Sequence, residues 1–238
     1  MGDARLIINR PGTEAAPITV LGAGKTVVHG ISIDADNITI DGIHAKQPES
    51  PGIQARGNNI TITNNVISAP QGGDGDGIRF WGRNIKIVHN TISDTRGRDE
   101  RHADCMQTFA TDDQFMASQE ILIEQNRCER IDNICLIAEG PNSEAGDGSG
   151  DGRSTNFIFL GNYCDNGAGQ ALFFDDVSNV SIANNDITGA IDKAFSFQNN
   201  ATGAHVQGNR LNPKIGYQVG MDDSSRAGYV GPEPGGDP

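Results

Sequence analysis

The stretch NIKIVHNTIS, residues 84–93, decides the fold because it is one copy of a repeat that fills most of the chain. Each copy has a polar residue, alternating apolar residues and then, in most copies, an asparagine, any residue and an apolar residue. Seven copies start at residues 37, 59, 84, 120, 156, 179 and 204, which lie 22, 25, 36, 36, 23 and 25 residues apart. Self-similarity at this period is typical of a stacked repeat fold.

The length of the repeat predicts how each copy folds. A basic coil of 22 to 25 residues, with apolar residues at every second position and no helical periodicity, fits one turn of a parallel β-helix. Two coils are longer and carry insertions. We therefore predict an all-β fold, a single-stranded right-handed parallel β-helix.

A second short strand follows the asparagine in six coils, and its copies align without gaps as PGIQAR, DGIRFW, DCMQTF, NICLIA, QALFFD and KAFSFQ. Two columns of this alignment lie two residues apart and share one strand face, which we expect to point into the core. The first column is Ile53, Ile78, Met106, Cys135, Leu172 and Phe195. The second column is Ala55, Phe80, Thr108, Ile137, Phe174 and Phe197.

The recurrent asparagine predicts a ladder at one turn of successive coils. Asparagine tolerates left-handed backbone angles, and its amide can bond to the amides above and below it. The ladder positions are Asn65, Asn90, Asn126, Asn162, Asn185 and Asn209. We interpret these residues as structural and not catalytic.

The repeat divides the chain into three parts. Residues 1–36 contain short apolar runs split by Pro-Gly and Gly-Ala-Gly, which suit an N-terminal lead-in and the first coils. Residues 37–215 form the β-helix coils. Residues 216–238 lose the repeat and end in a Gly/Pro-rich stretch, which predicts an exit segment followed by a linker or disordered tail. A homo-oligomer or further domains in a longer chain would cover the open ends of the helix.

The charge balance restricts the partners. A net charge of −13 argues against general binding to nucleic acid or to an anionic membrane surface. No apolar run approaches the length of a transmembrane helix, and the first residues lack the layout of a signal peptide. We expect a secreted or cell-surface protein whose export signal is not present in this chain.

The four cysteines do not have zinc-ligand spacing. Cys128 and Cys164 align just after the ladder asparagine, so we expect them to stack inside the core on consecutive coils. Neighbouring strands hold Cβ atoms farther apart than a relaxed disulfide prefers, which favours buried free thiols, although a bond between the two stays open. Cys105 and Cys135 stand in adjacent columns of the strand alignment, so their side chains should point to opposite strand faces, and we do not pair them.

A glycine-rich turn, QGGDGDG at residues 71–77, precedes the strand that carries Arg79. Asp76 and Asp104 align at the start of adjacent coil strands, so their carboxylates are expected to lie about one coil spacing apart. Such a pair must raise one pKa, pair with Arg101 or His102, or bind a cation. Asp74, Asp76 and Asp104 are therefore a candidate Ca²⁺ site, and a plain turn is the alternative.

A basic insertion follows, with six of the 18 Lys and Arg residues of the chain against three acids. The six are Arg79, Arg83, Lys86, Arg96, Arg98 and Arg101. A local excess of cations in an acidic protein is a candidate anion site, and the neighbouring His102 adds a residue type common in proton transfer. A solvated loop with internal ion pairs is the alternative. A second insertion, residues 139–155, is rich in Gly, Ser and Asp and is expected to be a mobile loop near the same face.

These coils, over residues 27–215, resemble the pectate-lyase-like right-handed β-helix superfamily. His102 and Asp104 at the start of a strand are similar to the catalytic motif of the mannuronan C5-epimerases. That motif reads Asp-Pro-His-Asp, whereas this chain has Glu100, Arg101, His102, Ala103 and Asp104. The resemblance implies a polysaccharide lyase or C5-epimerase that removes the C5 proton of a uronate in an acidic polysaccharide.

The chemistry of that reaction suggests a role for each residue. The substrate carboxylate must be neutralised while a positioned base takes the proton. Arg79 and Arg101 would hold the carboxylate, His102 would be the base, and Asp104 would orient it. Further substrate contacts would come from Gln107, Arg83, Arg98 and the outward aromatic ring of Phe173.

Two other functions remain open at this point. Hydrolysis would need a carboxylate pair flanking the glycosidic bond, and Asp76 with Asp104 is a candidate pair for a glycoside hydrolase. A non-catalytic structural or carbohydrate-binding β-helix module of a larger surface or spike protein is the third possibility, because fold does not decide function.

Overall fold

The computed structural model describes residues 4–23, 26–97, 102–111, 114–143, 145 and 152–238. The strands of the first half are β1 Leu6–Ile8, β2 Ile18–Leu21, β3 Val27–Val28, β4 Ile31–Asp34, β5 Ile38–Asp41, β6 His44–Lys46, β7 Ile53–Arg56, β8 Ile60–Thr63, β9 Val66–Ser68, β10 Ile78–Trp81, β11 Arg83–Val88 and β12 Thr91–Ser93. Those of the second half are β13 Met106–Phe109, β14 Gln119–Glu124, β15 Arg127–Ile131, β16 Leu136–Glu139, β17 Ser154–Leu160, β18 Tyr163–Asn166, β19 Gln170–Asp175, β20 Val177–Ala183, β21 Asp186–Ile187, β22 Lys193–Gln198, β23 His205–Gln207, β24 Arg210–Leu211 and β25 Tyr217–Met221. A short 3-10 helix spans Asp223–Ser225.

The strands form three parallel sheets, and each coil adds one strand to each sheet. The first sheet has nine strands in the order β1-β4-β7-β10-β13-β16-β19-β22-β25. The second runs β2-β5-β8-β11-β14-β17-β20-β23, and the third runs β3-β6-β9-β12-β15-β18-β21-β24. The predicted all-β parallel β-helix is therefore confirmed.

The core is a column of apolar side chains between the three sheets, and the register of the first sheet confirms most of the two predicted columns. Ile78 pairs with Ile53 and with Met106, and Leu172 pairs with Phe195. One coil is shifted by one residue from the prediction, because Leu136 and Ala138, not Cys135 and Ile137, pair with Met106 and Thr108. The cause is local: residues 134–138 are all apolar, so alternation does not define which face is buried.

The asparagine ladder is confirmed over all six positions. The first five side-chain amides each donate to the Oδ1 of the next ladder residue, at distances from 2.9 Å for Asn185–Asn209 to 3.2 Å for Asn162–Asn185. The left-handed backbone angle, however, belongs to the residue before each ladder asparagine and not to the asparagine itself. Those residues are Asn64, His89, Gln125, Gly161, Asn184 and Gly208.

At both ends of the β-helix, the described residues continue the coils. Strands β1, β2 and β3 form the first coil, as expected for the lead-in segment. The exit segment adds β25 to the first sheet, and the residues beyond it do not form the predicted linker or disordered tail. They pack back on the last coil, where Gly236 bridges to Gly220 and Val230 bridges to His205.

Within the described ranges, no helix has the length and apolar character needed to cross a membrane.

Candidate functional site

The outward face of the first sheet carries three of the predicted site residues. Arg79 on β10 pairs laterally with Gln54 and with Gln107 on β13, because all three occupy the strand position between the two core columns. The same row continues through Ile137 to Phe173. Arg79, Gln107 and Phe173 therefore share one row, as the sequence predicts.

The two carboxylates at the start of adjacent strands are stacked as predicted, and both are fully buried. The backbone N–H of Asp104 donates to Oδ1 of Asp76 at 2.9 Å. Oδ1 of Asp104 in turn accepts from the backbone N–H of Ile134 at 2.9 Å and from the side chain of Asn133 at 2.8 Å. Each carboxylate thus holds the start of the next coil.

Burial shifts the pKa values of both carboxyl groups. Burial raises the pKa of Asp104 well above the usual carboxyl range, and the neighbouring charge of Asp76 raises it further. Burial also raises the pKa of Asp76, although Arg79 opposes this shift. Oδ2 of Asp104 has no hydrogen-bond partner among the described residues. Asp104 therefore keeps its proton to a higher pH than an exposed aspartate.

Arg79 is the counter-ion of this stack. Its Nε donates to Oδ2 of Asp76 at 2.5 Å, and its Nη2 forms an ion pair with Asp74. Its guanidinium carbon also lies 5.8 Å from the centre of the Phe109 ring. Of the three predicted alternatives, the structure has a raised pKa, and its ion-pair partner is Arg79 and not His102. Arg101 lies outside the described residues.

His102 is exposed at the rim of the site. Its main-chain carbonyl accepts from the N–H of Asp104 at 2.9 Å. The predicted hydrogen bond between its imidazole and the Asp104 carboxyl does not form in the described part of the chain, because Oδ1 faces Asn133 and Ile134. Asn133, which the sequence analysis did not select, takes the place expected for the histidine.

The predicted basic patch is divided and largely neutralised. Arg83 begins β11 of the second sheet and pairs with Glu120 at 2.5 Å. Arg96 pairs with Asp132 at 2.8 Å. Lys86 lies on β11 and so belongs to the second sheet with Arg83. Arg98 is, like Arg101, outside the described residues.

The predicted cation site has an arginine between two of its ligands. The guanidinium of Arg79 contacts both Asp74 and Asp76, so one positive charge already neutralises part of the acidic cluster. In the described ranges, the only group of three or more His, Cys, Asp or Glu side chains with ligand atoms within 4.8 Å of one another is Cys128, Cys135 and Cys164. Asp74, Asp76 and Asp104 do not form such a group.

An aromatic cluster borders the same face and was missed by the sequence analysis. The ring centres of Trp81 and Phe109 lie 5.1 Å apart, and Phe115 lies 4.8 Å from Trp81 and 5.4 Å from Phe109. The indole N–H of Trp81 donates to the carbonyl of Phe109 at 2.7 Å. Trp81 and Phe109 are the last residues of two aligned strand copies, so their stacking was readable from the alignment.

Two acidic residues continue the row of Trp81 and Phe109, because Phe109 pairs laterally with Glu139. Glu139 on β16 pairs laterally with Asp175 on β19. The side chain of Asp175 accepts from Gln198 at 2.8 Å and from Asn199 at 3.0 Å. The one-residue error in aligning residues 133–138 hid this pair, because it placed Ala138 where Glu139 belongs.

Comparison with known proteins identifies the fold. No curated protein matches this chain. The crystal structure of an alginate lyase from Paenibacillus sp. str. FPU-7 aligns with 93% of this chain and 88% of that one, at 12% identity and a TM-score of 0.31. A family model described as the right-handed beta helix region matches residues 29–211. The chain therefore belongs to the right-handed β-helix family.

Proposed function

We propose that this protein acts on a polysaccharide bound across the outward face of the first sheet. The observation that supports this proposal is the row of Arg79 and Gln107 on this face, with the buried carboxyl of Asp104 stacked on Asp76, the ion-pair partner of Arg79. Repeated polar side chains at strand spacing suit a polymer whose hydroxyl groups repeat. The half-buried rings of Phe109 and Phe115, which pack on buried Trp81, offer apolar surface beside them.

The reaction that these residues fit best is removal of the C5 proton of a uronate, by a lyase or a C5-epimerase. A guanidinium has five N–H donors, and Arg79 uses only two of them on Asp74 and Asp76, so donors remain for a substrate carboxylate. His102, exposed at the rim, would take the proton. Expulsion of the 4-linked sugar then completes a lyase reaction, and reprotonation from the opposite face completes an epimerase reaction. Arg101 and Arg98 would extend the binding of the acidic chain.

The disulfide Cys105–Cys128 supports an exported location, since such bonds persist in oxidising compartments. A secreted or surface-attached protein would meet acidic polysaccharides outside the cell.

A glycoside hydrolase is the second candidate, because Glu139, which is half-buried, and Asp175, which is buried, are direct lateral neighbours in the first sheet. Hydrolysis uses two carboxyl groups on either side of the glycosidic bond. Asp76 and Asp104, the pair suggested by the sequence, suit this role less well, because each carboxylate already binds a backbone N–H at the start of the next coil.

One assay separates these functions. The purified protein is incubated with a panel of uronate polymers and neutral polymers, and products are followed by ultraviolet absorbance of unsaturated sugars, by new reducing ends and by NMR of the sugar configuration. We expect unsaturated or epimerised product from a uronate polymer, lost in His102→Ala and retained in Glu139→Gln. Reducing ends without unsaturation, lost in Glu139→Gln or Asp175→Asn, would establish the hydrolase instead. Binding without any product would identify a non-catalytic module.

A further inference from the structure

All four cysteines of the chain lie together in the core, at one corner of the coil cross-section. Cys105 and Cys135 directly precede β13 and β16 of the first sheet. Cys128 and Cys164 lie on β15 and β18 of the third sheet. One pair, Cys105–Cys128, is bonded within a single coil, with Cα atoms 5.9 Å apart. The other two are free thiols.

The register shows that the free pair repeats the bonded pair one coil further along. Cys128 and Cys164 are direct partners in the third sheet. Met106 pairs with Leu136 in the first sheet, and the N–H of Met106 donates to the carbonyl of Cys135 at 3.0 Å, so Cys135 follows Cys105 in the stack. Parallel stacking therefore carries both cysteines of the bonded pair into equivalent positions of the next coil.

The coil before indicates that these two positions face each other at the same corner of the cross-section. In the coil before, they are Gly77 and Ile92, and a Cβ built on Gly77 would lie only 2.4 Å from Cγ2 of Ile92. In the coil after, they are Ala171 and Ile187. The Sγ atoms of Cys135 and Cys164 lie within 4.8 Å of each other. Bonding requires these two atoms to approach to about 2 Å.

We propose that Cys135 and Cys164 form a second disulfide, stacked on Cys105–Cys128. A small-molecule disulfide such as oxidised glutathione is the oxidant. The thiolate of one cysteine attacks it, forms a mixed disulfide and releases one glutathione. The thiolate of the other cysteine then attacks the protein sulfur and releases the second glutathione. Two protein thiols are oxidised, one glutathione disulfide is reduced, and the two thiol protons pass to the released thiolates.

The bond forms while the coils are still open. Both thiols are fully buried in the folded chain, and burial raises the pKa of Cys135 well above the usual thiol range, so little thiolate exists there after folding.

The two bonds clamp the part of the fold that holds the candidate site. Cys105 directly follows Asp104, and Cys135 directly follows Ile134, whose N–H binds the Asp104 carboxylate at 2.9 Å. Each disulfide therefore ties one of these two strand starts to the third sheet. This inference rests on the register of the fold and does not depend on the proposed function.

The test is a thiol count with mapping of the bonds. The protein is folded in a glutathione redox buffer, denatured in acid with an alkylating reagent, digested and analysed by mass spectrometry. We expect no alkylated cysteine and two linked peptide pairs, Cys105–Cys128 and Cys135–Cys164. Quantitative alkylation of Cys135 and Cys164, a Cys128–Cys164 bond, or zinc retained by unbonded thiols would each overturn the proposal.

Two variants sharpen the result. Cys164→Ala should leave one alkylated cysteine, Cys135, with Cys105–Cys128 intact. The matched double variant Cys105→Ala, Cys128→Ala should retain the Cys135–Cys164 bond, and its unfolding midpoint should fall when reductant is added. A midpoint of the double variant that does not respond to reductant would also contradict the second bond.

Discussion

The asparagine ladder and the Asp76–Asp104 stack are both columns of side chains buried between coils, and they differ in how well their polar groups are satisfied. An amide carries donors and acceptors, so Asn126 accepts from Asn90 and donates to Asn162, both at 3.0 Å. An ionised carboxylate only accepts, so two stacked carboxylates repel. In this stack, Oδ2 of Asp104 has no hydrogen-bond partner among the described residues.

The comparison teaches where to look for function in this fold. In the ladder, the buried amides are hydrogen-bonded to one another, as a stable core requires. The carboxylate stack instead leaves a buried oxygen without a partner among the described residues. This stack lies beside exposed His102 and the outward row of Arg79 and Gln107. Departures of this kind concentrate at functional sites. A buried carboxyl with a raised pKa is also a group able to take part in proton transfer.

Breaking the ladder should have the largest effect on stability. Asn126→Ala removes the acceptor of the Asn90 N–H and the donor to the carbonyl of Ile87, which is 2.7 Å away. Each buried polar group left alone costs about 1–3 kcal/mol, so we expect a loss of about 3 kcal/mol or more. Urea unfolding followed by circular dichroism measures it.

The control is Asn84→Gly, which removes an exposed side-chain bond to Asn59 and keeps the left-handed angle of residue 84. Its expected cost is below about 1 kcal/mol. Equal losses in the two variants would contradict the view that burial makes the ladder strong.

Removing the counter-ion of the stack should have the next largest effect. Arg79→Ala leaves Asp76 buried without its 2.5 Å partner. Because Asp76 can take up a proton in response, we expect a loss of about 2 kcal/mol near neutral pH, less than for a fully buried fixed pair. The loss should shrink as the pH falls and Asp76 becomes neutral. Arg83→Ala, which breaks an exposed pair with Glu120, should leave the unfolding free energy unchanged.

The sign of the pH dependence should distinguish the stack from a surface ion pair. The pKa of Asp104 is raised by burial in the folded state, so its protonated form stabilises the fold at low pH, and this stability is lost as the pH rises through the folded pKa. Asp104→Asn, a neutral isostere, should therefore become more stable than the unmodified protein as the pH rises from about 4 to about 8.

Asp94 provides the opposite case. Its hydrogen bonds with Arg130 lower its pKa to about 2, so its contribution is present above the usual carboxyl range and is lost as the pH falls. Asp94→Asn should be less stable than the unmodified protein near neutral pH, and this difference in unfolding free energy should shrink as the pH falls. The same slope in both variants would contradict the assigned environments.

The smallest expected effect is that of Ca²⁺. Asp74, Asp76 and Asp104 stay a predicted cation site, and binding would raise the melting temperature of chelator-treated protein. Because Arg79 already pairs with Asp74 and Asp76, any site would be weak, and the heat of titration should vanish in Asp76→Asn. No heat with the unmodified protein would leave only the ion pair.

The fold was predictable from the sequence because seven copies of one template independently indicate the same coil. Where the copies agree, as at Ile78 and Leu172, the register was right. In residues 134–138 the alternation disappears, and the prediction slipped by one residue and lost Glu139. The prediction also placed the left-handed backbone angle one residue too late, at Asn65 and not at Asn64, because asparagine at either position suits such a turn.

The site was only partly predictable. The stacking of Asp76 on Asp104 follows from the strand alignment, and so does the row of Arg79, Gln107 and Phe173. The partners of those carboxylates do not, because they depend on side-chain direction: Arg79 turns back to Asp76, and Asn133 replaces His102. The Cys105–Cys128 bond was missed because it crosses the core within one coil, and sequence periodicity describes only neighbours along the stack.

Infrared difference spectroscopy of the Asp104 proton tests the central claim most directly. Spectra of the unmodified protein and Asp104→Asn are compared while the pH is raised. We predict a protonated carboxylic acid band, absent from the variant, that persists well above the range of about pH 4 in which exposed carboxyls ionise. A band that disappears together with those of the exposed carboxyls would contradict the account and leave Asp104 an ordinary structural aspartate.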